Sequence, residues 1–174
     1  GQTVVPETVS IKTRCMTEYD GCMKVELTLD SPYAKPKSKK RSRKKSPEQK
    51  ETREIRELKS LWLDIPLKDK EMPLFHACTT KPRTNPAGPP PAGEGEVCTS
   101  KRFPNPDWYG NFVPDVWFGD VARGLCWFAD NDRGWELGLD EKGKPVVPCL
   151  ELHRKNGVLT LRVNLIQQPV VIDK

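Results

Sequence analysis

Residues 146–166 read VVPCLELHRKNGVLTLRVNLI, and this stretch decides the fold class. Asn156-Gly157 lies between two apolar runs, and such a dipeptide readily fills the two positive-φ positions of a tight hairpin turn. Beyond it, Leu159, Leu161, Val163 and Leu165 alternate with Thr160, Arg162 and Asn164. That period of two is the mark of a strand with one buried face. Residues 146–153 supply the partner strand before the turn. A lone hairpin is marginal in water, so further strands must cover its apolar face.

Those strands can be found upstream. Leu61, Leu63, Ile65 and Leu67 alternate with Trp62, Asp64 and Pro66. Pro66 has no N–H to give a ladder, which places its strand at a sheet edge or a bulge. Residues 75–79 form a short strand, and residues 116–118 and 125–129 a pair joined by a turn through Gly119 and Gly124. Residues 170–172 read as a final strand or an exit from the domain. Near the N-terminus, a three-residue loop with Gly21 in the left-handed region opposes Ile11 to Leu29, Thr13 to Leu27, Cys15 to Val25 and Thr17 to Met23. That register gathers the less polar residues of both strands on one face; a two-residue loop would mix the faces. It also separates Cys15 from Cys22. The sum is about eight short strands and almost no helix. The expected fold is all-β, a two-layer antiparallel β-sandwich with long polar loops, and a closed barrel is the alternative.

Composition bounds the rest. A chain of 174 residues fits one domain, 1–174, large enough for a core without staples. With 36% apolar and 30% charged residues, that core must carry polar insertions. Two are expected to be flexible: 31–54, rich in Lys, Ser and Pro, and 81–100, rich in Pro and Gly. Residues 35–50 hold nine Lys or Arg and one Glu, a local charge of +8; subtracting it from the total of +5 leaves −3 for the remainder. The basicity therefore belongs to one loop, and no specific nucleic-acid face is expected. A salt-sensitive attraction of that loop for polyanions is the most it implies. No apolar run is long enough for a membrane helix, so no membrane span is expected. The chain begins at Gly1, and any targeting signal is expected upstream of it.

The six cysteines make no CxxC pair, and neither His76 nor His153 stands at zinc-finger spacing from them, so no metal site is expected. Buried thiols in strands are the simpler reading, with disulfides of an exported protein the other. No phosphate loop, dinucleotide fingerprint, nucleophile elbow or HExxH helix is present, so neither cofactor nor catalytic residue is expected. Residues 115–135, DVWFGDVARGLCWFADNDRGW, concentrate three of the five tryptophans. The candidate contact residues are Trp117, Asp120, Arg123, Asp130, Asp132 and Trp135. Sugar rings stack their C–H faces on Trp, and Asp and Arg bind hydroxyls. The competing reading places Trp117 and Trp127 in the sandwich core, with the Asp residues turning the chain; strand alternation favours it. Asp130 and Asp132 invite a glycosidase acid/base reading, but a D-x-D spacing of roughly 6–7 Å is common to many turns.

The order of Trp117, Gly119, Asp120, Arg123, Gly124, Leu125, Trp127 and Trp135, followed by the strand GVLTLRVNLI, resembles the N-terminal β-sandwich region of glycoside hydrolase family 123-like proteins. The resemblance implies a non-catalytic accessory domain of an exported protein. Its partner would be a C-terminal catalytic barrel of the same polypeptide, acting on N-acetylgalactosamine-type substrates. The charged insertion 35–50 and Asp130, where the family pattern has Glu, are departures from it. An autonomous carbohydrate-binding module and a polyanion-binding domain are the alternatives.

Overall fold

The computed structural model describes residues 10–19, 21–30, 57–78, 87–100 and 112–171. The chain divides into two compact units, Gly1–Arg56 with Ile172–Lys174, and Glu57–Val171. In the first, β1 (Ser10–Thr17) and β2 (Met23–Asp30) form an antiparallel hairpin. Its register pairs Ile11 with Leu29, Thr13 with Leu27, Cys15 with Val25 and Thr17 with Met23, as the apolar pattern requires. Gly21 turns the chain at φ +87°. Its N–H donates to the Glu18 carbonyl at 3.1 Å, and the Glu18 N–H donates to the Cys22 carbonyl at 2.8 Å.

Among the described residues the second unit has ten strands: β3 (Glu57–Leu58), β4 (Leu61–Lys68), β5 (Leu74–Cys78), β6 (Ala87–Gly88), β7 (Gly95–Thr99), β8 (Asp115–Gly119), β9 (Gly124–Phe128), β10 (Leu150–Lys155), β11 (Val158–Ile166) and β12 (Val170–Val171). A single 3₁₀ turn, Asp69–Glu71, is the one helical element among the described residues. The fold is all-β and antiparallel. One four-stranded sheet has the order β4-β11-β10-β7, the other β6-β5-β8-β9, and β12 pairs with β3. The two large sheets share one core. Leu159, Leu161 and Val163 of β11 and Leu150 and Leu152 of β10 meet Phe75, Ala77, Val116 and Phe118 of the second sheet. The Phe75 and Phe118 rings stack with centroids 6.3 Å apart.

β11 carries the deepest side chains because it lies between β4 and β10, and the Asn156-Gly157 turn fixes its register on β10, with Leu161 opposite Leu152. Both turn residues have positive φ, 51° and 75°. Pro66 sits on β4 at the sheet edge, opposite Thr160, where its missing N–H takes nothing from the ladder.

Three sequence expectations are corrected. The stretch 81–100 is not one long loop: β6 and β7 lie within it, and Cys98, Thr99 and Ser100 are buried. The Pro and Gly residues make the turn between them, but Val97, Cys98 and Thr99 suit a strand, and β7 finds a partner in β10. Residues 79–86 and the expected insertion 31–54 lie outside the described residues. Second, the partner strand starts at Leu150, not at Val146. Pro148 cannot donate to a ladder, and the Val146 N–H instead donates to the Gly138 carbonyl at 2.9 Å. Third, Leu165 does not continue the buried row. A register shift against β4 after Asn164, which is buried opposite Trp62, sets Ile166 opposite Leu61 on the inner face and leaves Leu165 half-buried.

Candidate functional site

The β8–β9 hairpin holds the sequence candidates, and its geometry begins with two glycines. Gly119 and Gly124 face each other across the neck of the hairpin. The Trp117 indole lies against this pair. A Cβ added to Gly119 would sit 2.7 Å from Cζ2 of Trp117, and one added to Gly124 2.7 Å from Cε2 of Trp117 and 2.8 Å from the Phe118 carbonyl oxygen. Only glycine lets the indole approach so closely. Beyond the neck, Asp120 closes the turn. Its Oδ1 accepts from the backbone N–H groups of Ala122 at 2.7 Å and Arg123 at 3.0 Å, and its own N–H donates to the Arg123 carbonyl at 2.9 Å. These backbone donors hold the Asp120 carboxyl below the usual carboxylate range. Arg123 reaches Asp120 at 3.8 Å and Glu71 at 3.7 Å, both loose exposed pairs.

The other candidates lie elsewhere. Val116 pairs with Trp127, so Trp127 points to the core side of the sheet while Trp117 points away from it. Trp127 packs against the margin of the core and is half-buried, not enclosed as a mid-strand core residue would be. β9 is the edge strand of its sheet, with no strand beyond it among the described residues. Trp135 joins Trp127 at 6.3 Å between centroids and meets Phe112 edge-on at 5.6 Å. Asp130 and Asp132 are exposed in the turn between β9 and Trp135, where the Asp132 carbonyl accepts from the Trp135 N–H at 3.0 Å. The structure thus brings together Asp120 with Arg123, and Trp127 with Trp135. It sets Trp117 on the opposite side of the sheet, so the six candidates do not converge on one site.

A second constellation lies on the outer face of the β4-β11-β10 sheet. Asp64, Arg162 and Glu151 form a row across three strands. Arg162 grips Asp64 with two parallel bonds, Nε to Oδ1 at 2.7 Å and Nη2 to Oδ2 at 2.8 Å. Its guanidinium carbon lies 5.3 Å from the centroid of the Trp62 ring, and Trp62 is 48% exposed. The Arg162 bonds and charge hold the Asp64 carboxyl below its ordinary range; Asp64 in turn raises the Arg162 pKa. Glu151 contacts His153 at 2.6 Å and accepts from Asn164 Nδ2 at 2.8 Å. Asn164, 2% exposed, also donates to the Pro148 carbonyl at 2.9 Å and accepts from Gln167 at 3.0 Å.

Sequence reasoning passed over Trp62, Asp64, Arg162 and Glu151 as an ordinary polar face. A signal was present: the Asn156-Gly157 turn alone sets Arg162 opposite Glu151, and Trp62 and Asp64 alternate with the buried leucines. Which strand lies next to β11 is a long-range fact, and it is what joins the two halves.

The six cysteines are thiols of two kinds. Cys98 and Cys149 are buried, and burial pushes them up to about 12 and about 11. Cys15, Cys22 and Cys126 are exposed and Cys78 is intermediate, so the expectation of buried thiols holds for only part of the set. Among the described residues, no group of three or more His, Cys, Asp or Glu could hold a metal ion, and no helix is long and apolar enough to cross a membrane. No protein-family model, curated protein or solved structure matches the chain.

Proposed function

We propose that this chain is a non-catalytic accessory β-sandwich domain of a glycoside-hydrolase-like protein, working beside a catalytic barrel of the same polypeptide. One observation carries the reading: the motif residues that resemble the hydrolase family have architectural roles here. Gly119 and Gly124 leave room for the Trp117 indole, Asp120 closes the turn that Arg123 ends, and Trp127 packs with Trp135 at the core margin. A motif whose residues build a hairpin is the signature of a framework, not of a reaction centre. The acid/base alternative asks for two carboxyls in contrasting environments. Asp130 and Asp132 are both exposed in one turn. The outer side of β5, β8 and β9 presents Leu74, Trp117 and Phe128, a surface suited to packing on a companion domain.

The test is hydrolysis of an aryl N-acetylhexosaminide by the purified chain. No turnover above the uncatalysed rate is expected. Turnover abolished by Asp130→Asn or Asp132→Asn would overturn the accessory reading. The carbohydrate-binding alternative gains from the half-exposed Trp62 beside Asp64 and Arg162. The polyanion-binding alternative rests on residues 35–50, which lie outside the described residues.

A further inference from the structure

We propose that the outer face of β4, β11 and β10 is a binding platform for a neutral sugar. Trp62 would stack on the apolar face of a pyranose ring, and Asp64 and Arg162 would hold its hydroxyls. The site lies apart from the Asp115-to-Trp135 stretch and does not depend on the accessory-domain reading.

An exposed ion pair such as Asp64–Arg162 adds little to stability. A guanidinium near an exposed aromatic ring adds little more. These gains are small beside what a large aromatic forgoes when it stays half in water on an edge strand. The same contacts matter more for recognition. Arg162 lies over the ring, 5.3 Å from its centroid, and is itself fixed by its two bonds to Asp64, so the indole is held before any ligand arrives. An aromatic surface fixed in advance loses little entropy on binding. The guanidinium lies over one face of the indole, and Trp62 stays 48% exposed.

The polar rim has unused capacity. Arg162 donates to Asp64 through Nε and Nη2, and its Nη1 makes no hydrogen bond among the described residues. Each carboxylate oxygen of Asp64 takes one of those bonds, and an ionised carboxylate offers about four acceptor sites. A carboxylate beside a guanidinium suits neighbouring hydroxyls, each of which both donates and accepts. Charge decides the class of sugar. Asp64 and Arg162 beside the ring cancel and Glu151 next to Arg162 is anionic; Lys68 and Lys155 share the face but stand four residues further along their strands, so no positive surplus adjoins the ring for a sulfated or phosphorylated ligand.

The experiment is an amide and indole NMR titration of the whole chain. The probes are the methyl β-glycosides of glucose, galactose, N-acetylglucosamine and N-acetylgalactosamine, each taken to about 50 mM, where even a millimolar site saturates. Saturable shifts of the Trp62 indole N–H and of the backbone around Asp64 and Arg162 are expected with at least one probe. Trp62→Ala should weaken that binding roughly tenfold or more, Trp62→Phe should retain most of it, and Asp130→Asn with Asp132→Asn should leave it unchanged. An unchanged urea midpoint for Trp62→Ala separates lost binding from lost fold. No saturable shift at Trp62 with any probe overturns the proposal. So does binding that survives Trp62→Ala, or binding that follows Asp130 and Asp132 instead.

Discussion

Gly124→Ala probes the neck of the β8–β9 hairpin with a single methyl group. The new Cβ would lie 2.7 Å from Cε2 of Trp117 and 2.8 Å from the carbonyl oxygen of Phe118, where ordinary contact begins near 3.4 Å. The shortfall is 0.7 Å against Cε2, more against the nearer Nε1 of Trp117, and 0.6 Å against the carbonyl. A rotation of Trp117 could relieve the first but not the second, because the Phe118 carbonyl is backbone of the facing strand. The strand pair must therefore part at its neck. Overpacking of this kind costs about 1–3 kcal/mol, while replacing a strand Gly by Ala returns roughly 0.5–1 kcal/mol of backbone entropy. A net loss of about 1–2 kcal/mol is expected. With a urea m-value of roughly 1–3 kcal/mol/M, the midpoint should fall by about 0.5–1 M. Repeating the change in a Trp117→Ala background divides the two clashes. The loss should shrink there but not vanish, since the Phe118 oxygen remains; contacting residues couple by about 0.5–3 kcal/mol. An unchanged or raised midpoint for Gly124→Ala alone would refute the account of why this position is glycine.

Asn164→Leu strips a donor from both the Pro148 carbonyl and Glu151 Oε1 at a site 2% exposed, so it should cost about 1–3 kcal/mol in chemical unfolding; a loss indistinguishable from zero would show that relaxation or water replaces those bonds. Trp127→Ala should destabilise by less than the roughly 3–5 kcal/mol of a fully enclosed aromatic, because the ring is half-buried at the core margin, and a full-sized loss in urea unfolding would mean that the ring is enclosed in solution. Cys98 and Cys149 should resist iodoacetamide in the folded protein while Cys15, Cys22 and Cys126 react, as read by peptide mass spectrometry; rapid labelling of Cys98 or Cys149 would count against the core. Their raised folded pKa values also give stability a direction with pH. Both thiols stay protonated in the fold after their unfolded counterparts ionise near 9, so their contribution is complete below about pH 9 and is lost as pH rises toward about 11 for Cys149 and about 12 for Cys98. Alkaline unfolding curves that show no decline across that window would contradict the burial.

Much of this protein was legible in local sequence. The alternation in β4 and β11, the Asn156-Gly157 turn and the left-handed Gly21 are short-range facts: a period of two and a positive-φ demand lie within a few residues, and they set strand, face and register without reference to the rest of the chain. They determined the all-β class and the pairing Ile11 to Leu29 through Thr17 to Met23. What they could not reach depended on neighbours distant in the chain. β7 is a strand because β10 lends it a partner more than 50 residues away; Val97-Cys98-Thr99 beside a Pro- and Gly-rich turn does not announce that. Leu165 leaves the buried row because β4 pairs out of step beyond Asn164. Trp117 and Trp127 are ten residues apart in one motif, yet the antiparallel pairing of Val116 with Trp127 sends the two indoles to opposite faces. Conversely, Trp62 and Arg162 are 100 residues apart and meet because β11 lies beside β4. Local chemistry sets which face a side chain takes within its own strand; only the order of strands in the sheets decides which side chains share that face.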